Sequence, residues 1–409
     1  MTASAPQRWL SLVGIGEDGL DGLTPAARRL LSQAELVVGG ERHLGLAGSF
    51  PGERMAWPSP LTDGIPAILA RRGRPVCVLA TGDPFFFGVG ATLMRHVDPA
   101  EMLCLPAPSA FSLAAARLGW ALQDCAPVSL HGRSFERIVP LLQPGARILA
   151  LSWDETTPGR LAALLRERGL GGSRLVVCEA LGGPRERILD ATADSFDAEV
   201  DPLNTVGLEV VAAPGARVLP LASGIPDSLF EHDGQITKRE VRAITLSALA
   251  PRQGELLWDV GAGSGSVGIE WMLRHPANRA IAVEPRPDRA ARIARNAAAL
   301  GTPDLRIVQG AAPAALAGLP APDAVFVGGG GTDPAVIDAA WSALSAGGRL
   351  VVNAVTLETQ ADLIARQARW GGELVSIQLA RADAVGGFRG WRPAMPVAQW
   401  SVEKPEGAQ

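Results

Sequence analysis

Short apolar runs of β type alternate with Ala-, Leu- and Arg-rich stretches over nearly the whole of this 409-residue chain. That alternation predicts βαβ units and mostly parallel sheets, an α/β fold. In the first half it places strands at Trp9–Val13, Leu36–Val38, Val76–Ala80, Met102–Leu105, Arg147–Leu151, Leu175–Cys178 and Thr205–Ala212. Helices over Pro25–Gln33 and Pro158–Arg168 lie among the connections. The pattern breaks at Ala213-Pro214-Gly215 and resumes with a helix over Thr237–Ala250. Strands at Glu255–Val260, Arg279–Val283, Leu305–Val308, Asp323–Val327 and Gly347–Asn353 follow, with helices over Arg286–Leu300 and Pro334–Leu344. We expect two domains, 1–213 and 225–409, joined by a linker at 214–224, each long enough to bury its own core.

Composition narrows the classes of function. A net charge of −4 argues against nucleic acid, which calls for a basic excess. No apolar run reaches the roughly 20 residues of a membrane span, and no secretory pattern opens the chain, so a cytoplasmic protein is expected. The four cysteines and five histidines are scattered without metal-ligand spacing, and reduced, buried thiols are expected. Lys238 and Lys404 are the only lysines and tyrosine is absent, a bias that fits genome composition.

The strongest motif is Leu256-Leu257-Trp258-Asp259-Val260-Gly261-Ala262-Gly263-Ser264-Gly265-Ser266-Val267-Gly268, an apolar strand ending in a glycine turn that opens a helix. Glycine suits a tight turn that a ligand must approach closely. About twenty residues on, the next strand ends in Glu284, where a carboxylate can accept hydrogen bonds from both ribose hydroxyls of an adenosine. Gly263 to Gly268 also fits a dinucleotide fingerprint, so an NAD(P)-dependent reductase is an alternative. Asp259 weighs against it, because a carboxylate ahead of the turn repels a pyrophosphate and favours a cationic, phosphate-free nucleoside. S-adenosylmethionine has that character. Two later loops support that donor: Gln309-Gly310-Ala311-Ala312-Pro313 follows the third strand, where the adenine ring would lie, and Phe326-Val327-Gly328-Gly329-Gly330-Gly331 follows the fourth, at the mouth of the site. Four glycines leave an open floor suited to a large planar substrate.

The first half carries three weaker loops in order: Val13-Gly14-Ile15-Gly16-Glu17-Asp18-Gly19, Ala80-Thr81-Gly82-Asp83-Pro84-Phe85-Phe86-Phe87-Gly88, and Leu105-Pro106-Ala107-Pro108-Ser109-Ala110-Phe111. The last precedes a helix with Ser109 or Ser112 as its N-cap.

With Cys178-Glu179-Ala180-Leu181-Gly182-Gly183, these loops make residues 8–213 resemble the tetrapyrrole methylases, which hold the methyl donor in a cleft between two α/β subdomains. The resemblance implies donor contacts from Glu17, Gly82, Asp83, Phe86, Ser109, Ala110, Leu151 and Leu181. Residues 225–405 resemble the decarboxylating precorrin methyltransferases through Gln235-Ile236-Thr237-Lys238-Arg239-Glu240-Val241-Arg242, the Asp259-to-Gly265 loop, Glu284 and the two later loops. This implies a doubly wound, Rossmann-like domain with donor contacts from Thr237, Gly261, Ala262, Gly263, Ser264, Gly265, Glu284 and Ala311. Relatives often carry Asp at the position of Ala311, so only a backbone contact is expected there.

The fusion resembles the bifunctional precorrin methyltransferases of aerobic cobalamin synthesis. It implies methylation at C5 by the first domain, and methylation at C15 with loss of the ring C acetate carboxylate by the second. One S-adenosylmethionine site per domain, a precorrin substrate and a homo-oligomer are expected, with no metal, nucleic acid or membrane partner. An electron-rich ring carbon attacks the sulfonium methyl, so positioning dominates and no catalytic base is named. Lys238 and Arg381 are candidate clamps for substrate carboxylates. A non-catalytic tetrapyrrole carrier is the remaining alternative.

Overall fold

The computed structural model describes residues 8–406. The chain divides into two compact units, Met1–Arg133 with Leu141–Val218, and Ser134–Pro140 with Leu219–Gln409. The passage from Val218 to Leu219 lies inside the 214–224 stretch. Among the described residues no helix is long and apolar enough to cross a membrane.

In the first unit, β1 (Leu10–Ile15), β2 (Leu36–Gly39), β3 (Glu53–Ala56), β4 (Val76–Thr81) and β5 (Met102–Leu105) form a wholly parallel sheet in the order β3-β2-β4-β1-β5. Its strands read as continuous apolar runs because both faces are covered. Leu36, Val38, Val76 and Val78 join one core, while Val37, Cys77 and Leu79 join the other. The helix Pro25–Gln33 begins where expected, with the Thr24 hydroxyl accepting from the Ala27 N–H and Pro25 in the first turn.

A second sheet contains β6 (Cys125–Ser129), β7 (Arg147–Leu151), β8 (Arg174–Glu179), β9 (Arg187–Thr192) and β10 (Asn204–Glu209) in the order β6-β7-β10-β8-β9. Only β6 and β7 pair in parallel; β10 runs antiparallel to β7 and β8, and β9 antiparallel to β8. This departs from the mostly parallel expectation. The connection from β8 to β9 is too short for a crossover, so the chain can only fold back.

The second unit has β11 (Leu256–Val260), β12 (Arg279–Glu284), β13 (Arg306–Gln309), β14 (Ala324–Val327), β15 (Arg349–Ala354), β16 (Glu373–Ile377) and β19 (Val397–Glu403) in the order β13-β12-β11-β14-β15-β19-β16. The first five are parallel and the last two antiparallel additions. A separate hairpin, β17 (Ala380–Val385) with β18 (Phe388–Pro393), is exposed along nearly its whole length. The order reverses between β11 and β14, and crevices at such switch points are where ligands bind in doubly wound sheets.

Cys77 and Cys178 are buried and free, their thiols pushed up by burial to about 12 and about 11 respectively. Cys104 and Cys125 are free but only half-buried, a correction to the expectation for all four, since each sits near a strand end.

Candidate active sites

In the first unit β4, β1 and β5 lie side by side, so the loops at their carboxyl ends are neighbours. A Cβ on Gly14 would lie 1.9 Å from the Gly82 carbonyl oxygen and 2.4 Å from the Ala107 nitrogen. Gly82 itself takes φ +57°, and its Cβ would meet the Pro108 oxygen at 2.8 Å. The Ala107 N–H donates to the Gly82 carbonyl at 3.0 Å, so three backbones touch with no room for side chains. Ser109 is the N-cap of helix Ala110–Leu118, accepting from the Ser112 N–H at 3.1 Å.

Above this cradle lies a cleft of about 560 Å³, within the size range of small-molecule sites. Glu17, Gly82, Phe86, Ser109, Ala110, Leu151 and Leu181 line it, from both sheets. Asp83 does not. Its carboxylate accepts the Phe85 N–H at 2.8 Å and its carbonyl accepts the Phe86 N–H, so it folds the loop that presents Phe86.

Several lining residues went unmarked in the sequence: Arg42, His43, Trp57, His131, Arg133 and Trp153. Arg42 and His43 follow β2, where polar residues at a strand's carboxyl end were the available signal. The Glu17 carboxylate is paired with Arg42 and lies 3.7 Å from Arg185. Burial, with the Arg42 charge adding, pushes the His43 imidazole down to about 4, so it is neutral near pH 7. Phe87 adopts φ +59°, a strained conformation for an aromatic residue, and its ring packs against Phe86 and Phe111. The Arg133 guanidinium sits 5.2 Å from that ring.

The second site lies at the switch point. A Cβ on Gly261 would come within 2.6 Å of the Gly329 backbone, so the glycine turn and the four-glycine run meet main chain to main chain. Gly261, Glu284 and Ala311 line a smaller cleft of about 200 Å³ with Arg289, Gly310, Gly329 and Gly330. Ala262, Gly263, Ser264 and Gly265 shape the turn without lining that cleft. The Gly263 N–H donates to Glu284 at 2.8 Å, Ser264 is buried, and Gly265 caps the helix Ser266–Leu273 at φ +76°. Thr237 lies on the segment beside this turn: a Cβ on Gly263 would be 3.3 Å from the Gln235 carbonyl, and the Thr237 carbonyl accepts from Arg242.

Asp259 is buried beneath the turn. One carboxylate oxygen accepts the Gly268 N–H at 2.9 Å, in the first turn of the helix. The other has no partner among the described residues. Burial raises its pKa to about 7; the Gly268 bond opposes this and the Glu284 charge adds to it. The chain thus places its own carboxyl group where a phosphate would seek the helix N-terminus.

Neither proposed clamp lines a described cleft. Lys238 is the exposed N-cap of helix Arg239–Leu249 and donates to the Gly234 carbonyl at 3.3 Å. Arg381 stands on the exposed hairpin, paired with Glu240. A cation close in sequence to a loop need not face it.

Residues 10–197 match the family model of the tetrapyrrole (corrin/porphyrin) methylases, and residues 228–404 that of the precorrin methyltransferase domain. A Sinorhizobium protein named precorrin-6Y C(5,15)-methyltransferase [decarboxylating] is 58% identical over 97% of this chain and 96% of its own. The chain belongs to this precorrin-6Y methyltransferase family. Its activity is S-adenosylmethionine-dependent C-methylation of a precorrin in cobalamin biosynthesis, with decarboxylation. The reductase and carrier readings give way to it.

Two shorter relatives each span about half of the chain. The Salmonella typhimurium cobalt-precorrin-7 C(5)-methyltransferase is 34% identical over 47% of this chain and 96% of its own. A Pyrobaculum calidifontis protein, named a probable cobalt-precorrin-6B C(15)-methyltransferase (decarboxylating), is 38% identical over 40% of this chain and 88% of its own.

Proposed function

We propose that the two methylations are divided between the two clefts, each with its own S-adenosylmethionine site. Residues 1–213 would methylate C5; residues 225–409 would methylate C15 and remove the ring C acetate carboxylate. The observation that carries this reading is the pair of separate glycine cradles, one in each unit, each a place where backbone meets backbone beneath a cleft. The half-length relatives named for one position each support the division.

The residues fit the donor. Glu284 spends its oxygens on the Gly263 and Arg286 N–H groups and keeps lone pairs for ribose hydroxyls at the cleft. Gly261 and Gly329 leave a floor without side chains, and Ala311 offers main-chain groups beside it. Asp259 fills the helix N-terminus, which disfavours a pyrophosphate. In the first unit Phe86, Ala110, Leu151 and Leu181 supply apolar walls, and Ser109 and Glu17 supply polar ones.

S-adenosylmethionine supplies an electrophilic methyl group, and a macrocycle carbon is the nucleophile. At C15 the electron pair released as carbon dioxide leaves can flow through the conjugated ring, so the chain needs to hold and orient more than to exchange protons.

A matched pair of variants tests the division. Ala110→Trp fills the first cleft and Ala311→Trp the second. Isothermal titration of S-adenosylmethionine should fall from two sites per chain to one in each variant. Labelled-methyl NMR of the products should show loss of only the C5 methyl in the first, and of only the C15 methyl and decarboxylation in the second. Loss of both methylations from either single variant would refute independent sites.

A further inference from the structure

Arg133 follows β6 by a turn that nothing crowds. Its N–H donates to the Leu130 carbonyl at 3.4 Å, and Gly132 between them takes φ +65° with no atom within 4 Å of where a Cβ would stand. The side chain lines the first cleft, its guanidinium 5.2 Å from the centre of the Phe87 ring. Phe87 is held at φ +59°, a backbone that glycine adopts freely and an aromatic residue only at a cost. What Phe87 adds over glycine is the ring, which packs on Phe86 and Phe111 and turns a negative face to Arg133. Among the described residues lining the cleft Glu17 is the sole carboxylate, and Arg42 and Arg185 hold it. Arg133 has no carboxylate partner among the described residues, so its charge is uncompensated.

We propose that Arg133 binds a side-chain carboxylate of the tetrapyrrole during C5 methylation, and that Phe87 is a positioning residue that holds the guanidinium ready for it. Contact with a ring uses the face of a guanidinium and leaves the N–H groups in its plane free to donate. That planar fork matches a carboxylate two bonds at a time. His131 and Trp153, just beyond β6 and β7, line the same cleft with ring centres 5.9 Å apart, and Trp153 is exposed. Open aromatic surface beside an unpaired cation suits a flat conjugated ring with anions at its edge. Two carboxylate sources are available, the side chains of the macrocycle and the amino-acid end of the methyl donor. The macrocycle fits better, because it offers several carboxylates, whereas the donor also carries a sulfonium and an ammonium that a guanidinium repels.

The inference rests on the first cleft being the C5 site, and the full-length chain tests both separately. Arg133→Met keeps the stem of the side chain and removes its charge and donors. We expect it to raise the KM of the tetrapyrrole for C5 methylation about tenfold, the effect of losing a hydrogen bond to a charged group, with kcat changed far less. The melting temperature, the C15 reaction and the Kd of S-adenosylmethionine should stay unchanged. Arg133→Lys should recover part of the loss, since it returns the charge without the fork. Phe87→Leu should raise the same KM about threefold alone and leave it unmoved when added to Arg133→Met, because no cation is then left to hold. An equal effect of Phe87→Leu in both backgrounds would overturn its positioning role. A raised Kd of S-adenosylmethionine with an unchanged tetrapyrrole KM would assign the carboxylate to the methyl donor and overturn the choice of the macrocycle. Unchanged KM and Kd in Arg133→Met overturn the proposal as a whole. C5 methylation surviving in Ala110→Trp would instead overturn the assignment of the cleft.

Discussion

At the scale of single residues, Asp259 shows how position changes the meaning of a charge. Read along the chain, it is an anion ahead of a glycine turn. Folded, it is a buried carboxyl group bonded to the helix it precedes, with a pKa raised to about 7. Its folded value lies above that of the unfolded chain, so between about pH 4 and 7 the native state holds a proton that the unfolded state releases. Stability from this group is therefore full below about pH 4 and is lost as pH rises toward 7. The difference between the two ends of that window amounts to about 4 kcal/mol as an upper limit. Asp259→Asn keeps an acceptor for the Gly268 N–H and cannot ionise. We expect the fall in melting temperature of the second unit from pH 4 to 7 to flatten in this variant, as read by calorimetry. An unaltered slope would place the titrating group elsewhere.

At the scale of elements, the segment entering helix Arg239–Leu249 is held by a buried ion pair. Arg242 and Glu270 are both fully buried. Glu270 accepts from Arg242 at 2.6 Å and from the Gly224 and Ile225 N–H groups at 2.8 and 2.9 Å. Arg242 also reaches Asp227 and the carbonyls of Ile225 and Thr237, with the Phe230 ring beneath it. Removing one partner leaves the other charged in the interior. Arg242→Met should cost about 3–5 kcal/mol, measured by denaturant midpoint, and Arg242→Met with Glu270→Leu should cost less than the single change. S-adenosylmethionine affinity at the second site should fall with the single variant, because Thr237 stands at the end of the segment that this pair anchors.

The elements themselves were largely legible. Helix Pro25–Gln33 and strand Met102–Leu105 fall on their expected limits, because a cap with proline and an unbroken apolar run are local signals. The strands β3, β6 and β9 escaped notice, since none of them carries an unbroken apolar run. The antiparallel additions beyond β15 were also missed; β16 is exposed except at Ile377, and only its pairing to β19 makes it a strand.

At the scale of the whole molecule, two clefts that act independently should complement one another in mixtures of variants. Ala110→Trp lacks one reaction and Ala311→Trp the other, so combining the two proteins should restore the fully methylated, decarboxylated product through a diffusing intermediate. Product mass and methyl NMR read the outcome. A mixture that stays partly methylated would mean that the intermediate does not pass between chains.

The amino-acid order by itself determined the α/β character and the glycine loops, since strand burial, helix capping and the exclusion of a Cβ from a crowded backbone are written in residues close along the chain. Gly14, Gly82 and Gly261 could be singled out for that reason. Tertiary structure alone decided which side chains meet. Arg42, His43 and Thr81 come from the ends of two strands brought together by the register of one sheet, while Arg133 reaches the same cleft from beyond a strand of the other. Lys238 and Arg381, plausible by their neighbours in the chain, were turned to other partners by that same packing. Convergence of long-range neighbours is a property of sheet order and side-chain direction, and neither is carried by local spacing.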